Sequence, residues 1–139
     1  SNYHMLCHIA KLVNEGFFND GGRIRGIPVQ IGGTSYVPPL PIETVVIERI
    51  DEIRSQDKEP IEIAIELCMY CMKTQVFKDG NKRASVIFAN HYLIAQGMGF
   101  LVIPEKDVPE FKKLLVQYYE GEPLEVIGAF LKERCWKNF

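Results

Sequence analysis

Two stretches of this sequence, residues 61–74 and 82–95, are apolar on almost every side of a helix, and a polar passage at 75–83 separates them. Helices of that kind are buried from several sides. They predict a mainly α domain with this pair at its centre. Pro60 suits the first helical position of the earlier one, where its missing N–H costs nothing. The chain has 139 residues, the length of one domain, so residues 1–139 are read as a single unit.

The remaining segments fit around that pair. Residues 3–17 place Leu6, Ile9, Ala10 and Val13 at helical spacing, followed by a loop at Asn19-Asp20-Gly21-Gly22. Residues 42–55 are amphipathic, with Val45, Val46, Ile50 and Ile53 opposed to Glu48, Arg49, Asp51 and Glu52. Asp107-Val108-Pro109-Glu110 resembles a capping box and opens a helix carrying Phe111, Leu114, Leu115 and Tyr118. Gly121 and Pro123 break the chain before a last helix at about 124–134. Between the first two helices the texture changes. Ile27, Val29 and Ile31 alternate with other residues, Gly32-Gly33 follows, and Thr34-Ser35-Tyr36-Val37 runs on to Pro38-Pro39. That pattern predicts a β-hairpin at about 27–37 with a tight Gly-Gly turn.

Several functions are set aside by composition. The formal net charge is -2 and no Lys/Arg stripe exists, so nucleic acid is not an expected partner. No apolar run approaches the ~20 residues a membrane span needs, and no membrane is expected either. His4, His8 and Lys11 interrupt any leader-like apolar run, which makes a cytoplasmic location the expectation. Cys68 and Cys71 form a Cys-x-x-Cys, but both lie inside the apolar helix and read as small core residues. His4 and His8 stand one turn apart without a third ligand and read as exposed. His91 reads as a hydrogen-bonded core residue, Glu62 and Glu66 as a solvated strip, and the Phe17-Phe18 and Tyr118-Tyr119 pairs as packing. Trp136 reads as a residue that packs the tail down or marks a contact surface.

Chemistry concentrates in the polar passage, Gln75-Val76-Phe77-Lys78-Asp79-Gly80-Asn81-Lys82-Arg83. Gly80 permits a sharp turn. Asn81 is a good N-cap for the helix that follows. Backbone N–H groups at that helix start, with the positive end of the dipole, favour an anion. Lys82 and Arg83 oppose the dipole, a conflict that a bound phosphate would remove. Asp79 beside them is a candidate ligand for a magnesium ion bridging phosphates. On single residues, a polar turn between two helices with an Asn cap explains the passage equally well.

The combination of Phe77, Asp79, Gly80, Asn81 and Arg83 resembles the signature of the Fic/Doc family, His-x-Phe-x-Asp/Glu-Gly/Ala-Asn-Gly/Lys-Arg. It matches at every fixed position but the first, where Gln75 stands in place of histidine. Ile31-Gly32-Gly33-Thr34-Ser35-Tyr36-Val37-Pro38-Pro39 looks like the flap hairpin of that family. The resemblance implies a Fic fold, a helical bundle with an inserted β-hairpin flap, and it implies roles. Phe77 would anchor the loop in the core and Asp79 would hold Mg2+. Gly80, Asn81, Lys82 and Arg83 would bind the phosphates of ATP or another nucleotide. Ile31, Gly32, Gly33, Thr34, Ser35 and Tyr36 would hold a protein substrate or partner by strand addition. Family members move AMP, or in Doc-type members a phosphoryl group, onto a protein hydroxyl.

Three departures shape that expectation. Gln75 occupies the position of the family's general base, and an amide has no usable pKa. Lys82 looks like the Doc-type variant of the signature. Val86 stands where the longer signature has a second arginine. The family's inhibitory helix motif also has no match. Glu120-Gly121 is the nearest pair, with Val116 at the hydroxyl position, so the resemblance implies an inhibitor outside this chain or on a partner.

Overall fold

The computed structural model describes residues 1–16 and 21–138. The predicted end of the first helix, the Phe17-Phe18 pair, and Asn19 and Asp20 of the predicted loop lie outside the described residues. Six α-helices are present among those described: α1 (Tyr3–Val13), α2 (Glu43–Arg54), α3 (Pro60–Thr74), α4 (Asn81–Ala95), α5 (Val108–Tyr119) and α6 (Leu124–Phe130). The mainly α architecture expected from the sequence is therefore the one observed.

Helix α3 is the axis of the domain. Pro60 sits in its first turn beside Glu62, and Lys73 closes its last turn, so both ends complement the helix dipole. Ile61, Ile63, Ala64, Leu67, Cys68, Met69, Cys71 and Met72 are all buried. Its most extensive packing is against α4, and α4 packs in turn on α1. The contact face of α4 is built of small residues, Ala84, Ser85 and Ala89, around the fully buried Phe88. Small side chains let the two axes come close, and truncating a ring such as Phe88 would cost about 3–5 kcal/mol.

Helix α4 is not buried all round as its composition suggested. Ile87 and Ile94 are exposed, on the face that also carries Arg83 and His91. His91 lies eight residues after Arg83, on the outer face, and is exposed, with Nδ1 2.6 Å from the Ser1 hydroxyl. It is not the core histidine expected. Composition set how apolar α4 is, but its neighbours α3 and α1 cover only part of its circumference. Cys68 and Cys71 are buried in the core as expected, and burial pushes the Cys68 thiol up to about 12.

The C-terminal half differs from expectation in three places. Asp107 closes a 3-10 turn (Glu105–Asp107) with near-helical dihedrals and makes no cap hydrogen bond. Its buried carboxylate instead accepts from Arg134 Nη1 at 3.3 Å, which anchors the C-terminal segment. The last helix ends at Phe130 and continues as a π-helical turn at Leu131–Cys135. A short antiparallel pair then forms between β1 (Phe100–Leu101) and β2 (Trp136–Lys137). Trp136 Nε1 donates to the Met98 carbonyl at 2.7 Å, so this ring does pin the tail. Gly99 is required here: at φ +83 a Cβ would lie 1.9 Å from the Lys137 carbonyl oxygen.

The predicted hairpin at 27–37 is the main correction. Gly32 and Gly33 form a turn, but no strand and no backbone ladder flank it among the described residues. Pro28 and Pro38 remove two N–H donors from the segment. The donors that remain turn elsewhere: Tyr36 N–H bonds Thr34 Oγ1 at 3.1 Å, and Ser35 N–H points to Glu120 Oε2 at 3.4 Å.

Candidate active site

The polar passage joins the C-terminus of α3 to the N-terminus of α4. Gln75 caps α3 in the left-handed region, at φ 50, ψ 62, which is uncommon for a residue with a side chain. Its own amide holds it there. Gln75 Nε2 donates to the Met72 carbonyl at 2.7 Å, a free carbonyl of the last turn of α3. Gln75 Oε1 accepts from Asn81 Nδ2 at 3.2 Å. The glutamine therefore bridges the two core helices.

Asn81 does not cap α4. The capping position falls on Gly80, and Asn81 is the first helical residue, buried. Its side chain turns back to the loop: Oδ1 accepts from Phe77 N–H at 2.9 Å and Nδ2 donates to the Phe77 carbonyl at 2.7 Å. One amide thus satisfies both backbone groups of Phe77, as a paired strand would. Val76 and the Phe77 ring are buried, so the loop is anchored in the core at its centre, as expected of Phe77.

Two residues missed in the sequence complete the frame. Arg25 is buried, and its guanidinium meets no carboxylate among the described residues. It donates to four carbonyls instead: Thr74 and Gln75 at the end of α3, and Ile27 and Pro39 at the two ends of the flap segment. A guanidinium against the negative end of a helix dipole is favourably placed, and its planar fork serves several acceptors at once. Asn14, buried at the end of α1, donates to the Asp79 carbonyl at 3.1 Å. Gly80 lies so near it that a Cβ would be 2.7 Å from Asn14 Oδ1, at φ +72. Their partners in the loop lie 50 and 65 residues away, so no local pattern announces either residue.

The outward side of the loop has a different character. Asp79 is exposed, with one carboxylate oxygen accepting from Gly80 N–H at 2.8 Å. Lys82 and Arg83 are exposed and make no ion pair or hydrogen bond among the described residues. No side chain caps α4, so N–H groups of its first turn are left without an internal partner. Bare donors and the positive end of a fifteen-residue helix lie here, and Lys82 and Arg83 are its second and third residues. The Fic/DOC family profile matches residues 2–93, which include all of this geometry. The chain belongs to the Fic/DOC family. No curated protein matches it in sequence.

Fic proteins generally bind a nucleotide with Mg2+. The residues present fit that group at the start of α4, where the uncapped N–H groups and the unpaired Lys82 and Arg83 suit phosphate. Asp79 supplies a carboxylate beside them. No cluster of three or more His, Cys, Asp or Glu exists among the described residues. His4 and His8 are both exposed and belong to no such cluster. Nor do Glu62 and Glu66 form a carboxylate pair. Glu62 is exposed, whereas Glu66 is half-buried between Arg49 at 3.2 Å and Lys58 at 3.6 Å. The expectation of a solvated strip holds for Glu62 alone, because α2 covers Glu66.

Between the two ends that Arg25 holds, the flap segment also meets the C-terminal end of α5. Thr34 Oγ1 donates to Glu120 Oε2 at 2.6 Å, just past the end of α5. Tyr36 stacks on Tyr119, with centroids 6.3 Å apart. Ile31 is half-buried, while Gly32, Gly33 and Ser35 are exposed at the tip. No helix of the described residues is long and apolar enough to cross a membrane.

Proposed function

We propose that this chain is a nucleotide-binding Fic domain, working as an AMP- or phosphoryl-transferase on protein hydroxyls, with an active site modified at Gln75. The observation that carries the reading is the uncapped start of α4 with Lys82 and Arg83 unpaired beside it. Those groups would hold the phosphates, and Gly80 would let them approach the backbone. Asp79 would ligate Mg2+, which supplies charge neutralisation on the phosphates when bound. Ile31, Gly32, Gly33, Thr34, Ser35 and Tyr36 would bind the extended target segment. For that, the Ser35 N–H must leave Glu120.

Position 75 supplies no general base. Gln75 cannot accept the hydroxyl proton, and both ends of its amide are engaged by Met72 and Asn81. Loss of a positioned base costs roughly 10²–10⁴-fold in rate. The same observation supports a second reading, a catalytically silent module that binds a nucleotide or a partner peptide without chemistry. The Doc-like Lys82 leaves AMP and phosphoryl transfer both open to test.

Transfer from α-32P- and γ-32P-labelled Mg-ATP into lysate proteins, wild type beside Gln75→His, separates the readings. Label from the α position marks AMP transfer, and label from the γ position alone marks phosphoryl transfer. Incorporation by the wild type supports the enzyme. Incorporation by Gln75→His alone identifies a silenced domain. No incorporation by either, under varied metals, sinks the transferase.

A further inference from the structure

A groove of about 430 Å³ lies on the far side of the flap segment, between residues 36–46, α3 and α5. Its volume is within the ~300–1,000 Å³ of ligand-binding clefts. Leu40, Ile42 and Val45 line one wall and are each more than half exposed. Three aliphatic side chains left in water beside one concavity are what an interaction surface displays. Tyr36 and Tyr118 line the groove as well.

Among the described residues that line the groove, Lys73 is the one that carries a charge, and none is a carboxylate. It is half-buried, and its ammonium lies 5.2 Å from the Tyr36 ring centroid and 5.1 Å from that of Tyr118. Its hydrogen bond is a long one, 3.4 Å to the Tyr118 carbonyl. No acidic side chain pairs with it among the described residues. An ammonium has three donors. Two ring faces and one carbonyl hold this ammonium, but no carboxylate does, so it keeps donors for an acidic partner. The wall beside it is apolar, so the complementary ligand combines aliphatic surface with a carboxylate.

We propose that this groove binds a protein segment in which an aliphatic side chain is followed by Asp or Glu. The aliphatic group lies against Leu40, Ile42 and Val45, and the acidic side chain meets Lys73. This proposal does not depend on nucleotide chemistry at the start of α4, and binding is measured without nucleotide. A segment is favoured over a compact small molecule because three exposed side chains spread the apolar wall along residues 40–45.

Fluorescence polarisation tests it with the intact protein and a labelled peptide, Ser-Gly-Leu-Asp-Ile-Gly-Ser-amide. The expected result is saturable binding, weakened about tenfold when the Asp of the peptide is replaced by Asn, since a charge-assisted hydrogen bond is lost. Lys73→Met should weaken it by a similar factor, and Lys73→Arg should retain it. Ile42→Ser, on an exposed position, should weaken it roughly fivefold and decides the matter if Lys73→Met does not fold. Equal affinity for the Asp and Asn peptides overturns the proposal. So does an affinity weaker than about 1 mM for the Asp peptide. Tighter binding of the Asn peptide with a free C-terminal carboxylate would instead assign the groove to a chain end and overturn the internal segment.

Discussion

The loop at 75–83 and the flap segment at 27–37 are both irregular, yet they are held in opposite ways. Backbone groups of the loop meet side chains from three directions: Asn14 from α1, Arg25 from before the flap, and Asn81 from α4. Val76 and Phe77 are buried beneath it. The flap has no ladder, and past its Gly-Gly turn it rests on the Glu120 carboxylate and on Tyr119 and Lys73 against the Tyr36 ring. The difference suits the two proposed tasks. A phosphate cradle must be set in advance, because its donors lose their worth if they must reorganise. A segment that accepts a strand must keep backbone groups that can change partner.

Arg25 joins the two regions, and removing it should break the comparison most visibly. Arg25→Ala leaves the Thr74 and Gln75 carbonyls without their donor and frees both ends of the flap. The expected loss is on the order of 3 kcal/mol, read from urea denaturation. Arg25→Lys should recover little, since one ammonium cannot serve four carbonyls. Asn81→Ala touches the loop alone. It strands both backbone groups of Phe77 and should cost about 2–3 kcal/mol, with faster amide exchange at Phe77 and little change at residues 34–36.

Glu120→Ala touches the flap alone and has the smallest effect. Exposed hydrogen bonds contribute little, so stability should fall by no more than about 1 kcal/mol. Amide exchange at Ser35 should quicken while that at Phe77 stays as it was. If Glu120→Ala instead loosened the loop, the two regions would be one cooperative unit and the contrast between them would be lost.

How far the sequence revealed these regions depends on how local their causes are. The apolar pair α3 and α4, the anchoring Phe77 and the sharp turn at Gly80 are written in contiguous residues, and they were legible. Arg25 reaches acceptors 50 residues away, Asn14 reaches one 65 away, and Thr34 meets Glu120 at a separation of 86. No periodicity signals such partners. Asn81 shows a subtler failure. A short amide before a helix usually caps it, but Gly80 with its left-handed backbone takes the capping position, and Asn81 becomes free to satisfy Phe77. The flap failed for a related reason. Alternating residues predict a strand face, but a ladder also needs N–H donors, and Pro28 and Pro38 supply none.

The central claim is that the uncapped start of α4 is a phosphate cradle. Isothermal titration with Mg-ATP, wild type beside Arg83→Ala, tests it most directly. Arg83 is exposed, so its removal leaves the core untouched. The expected result is binding by the wild type that weakens at least about tenfold in the variant. Equal binding by both proteins, or none by the wild type, would contradict it.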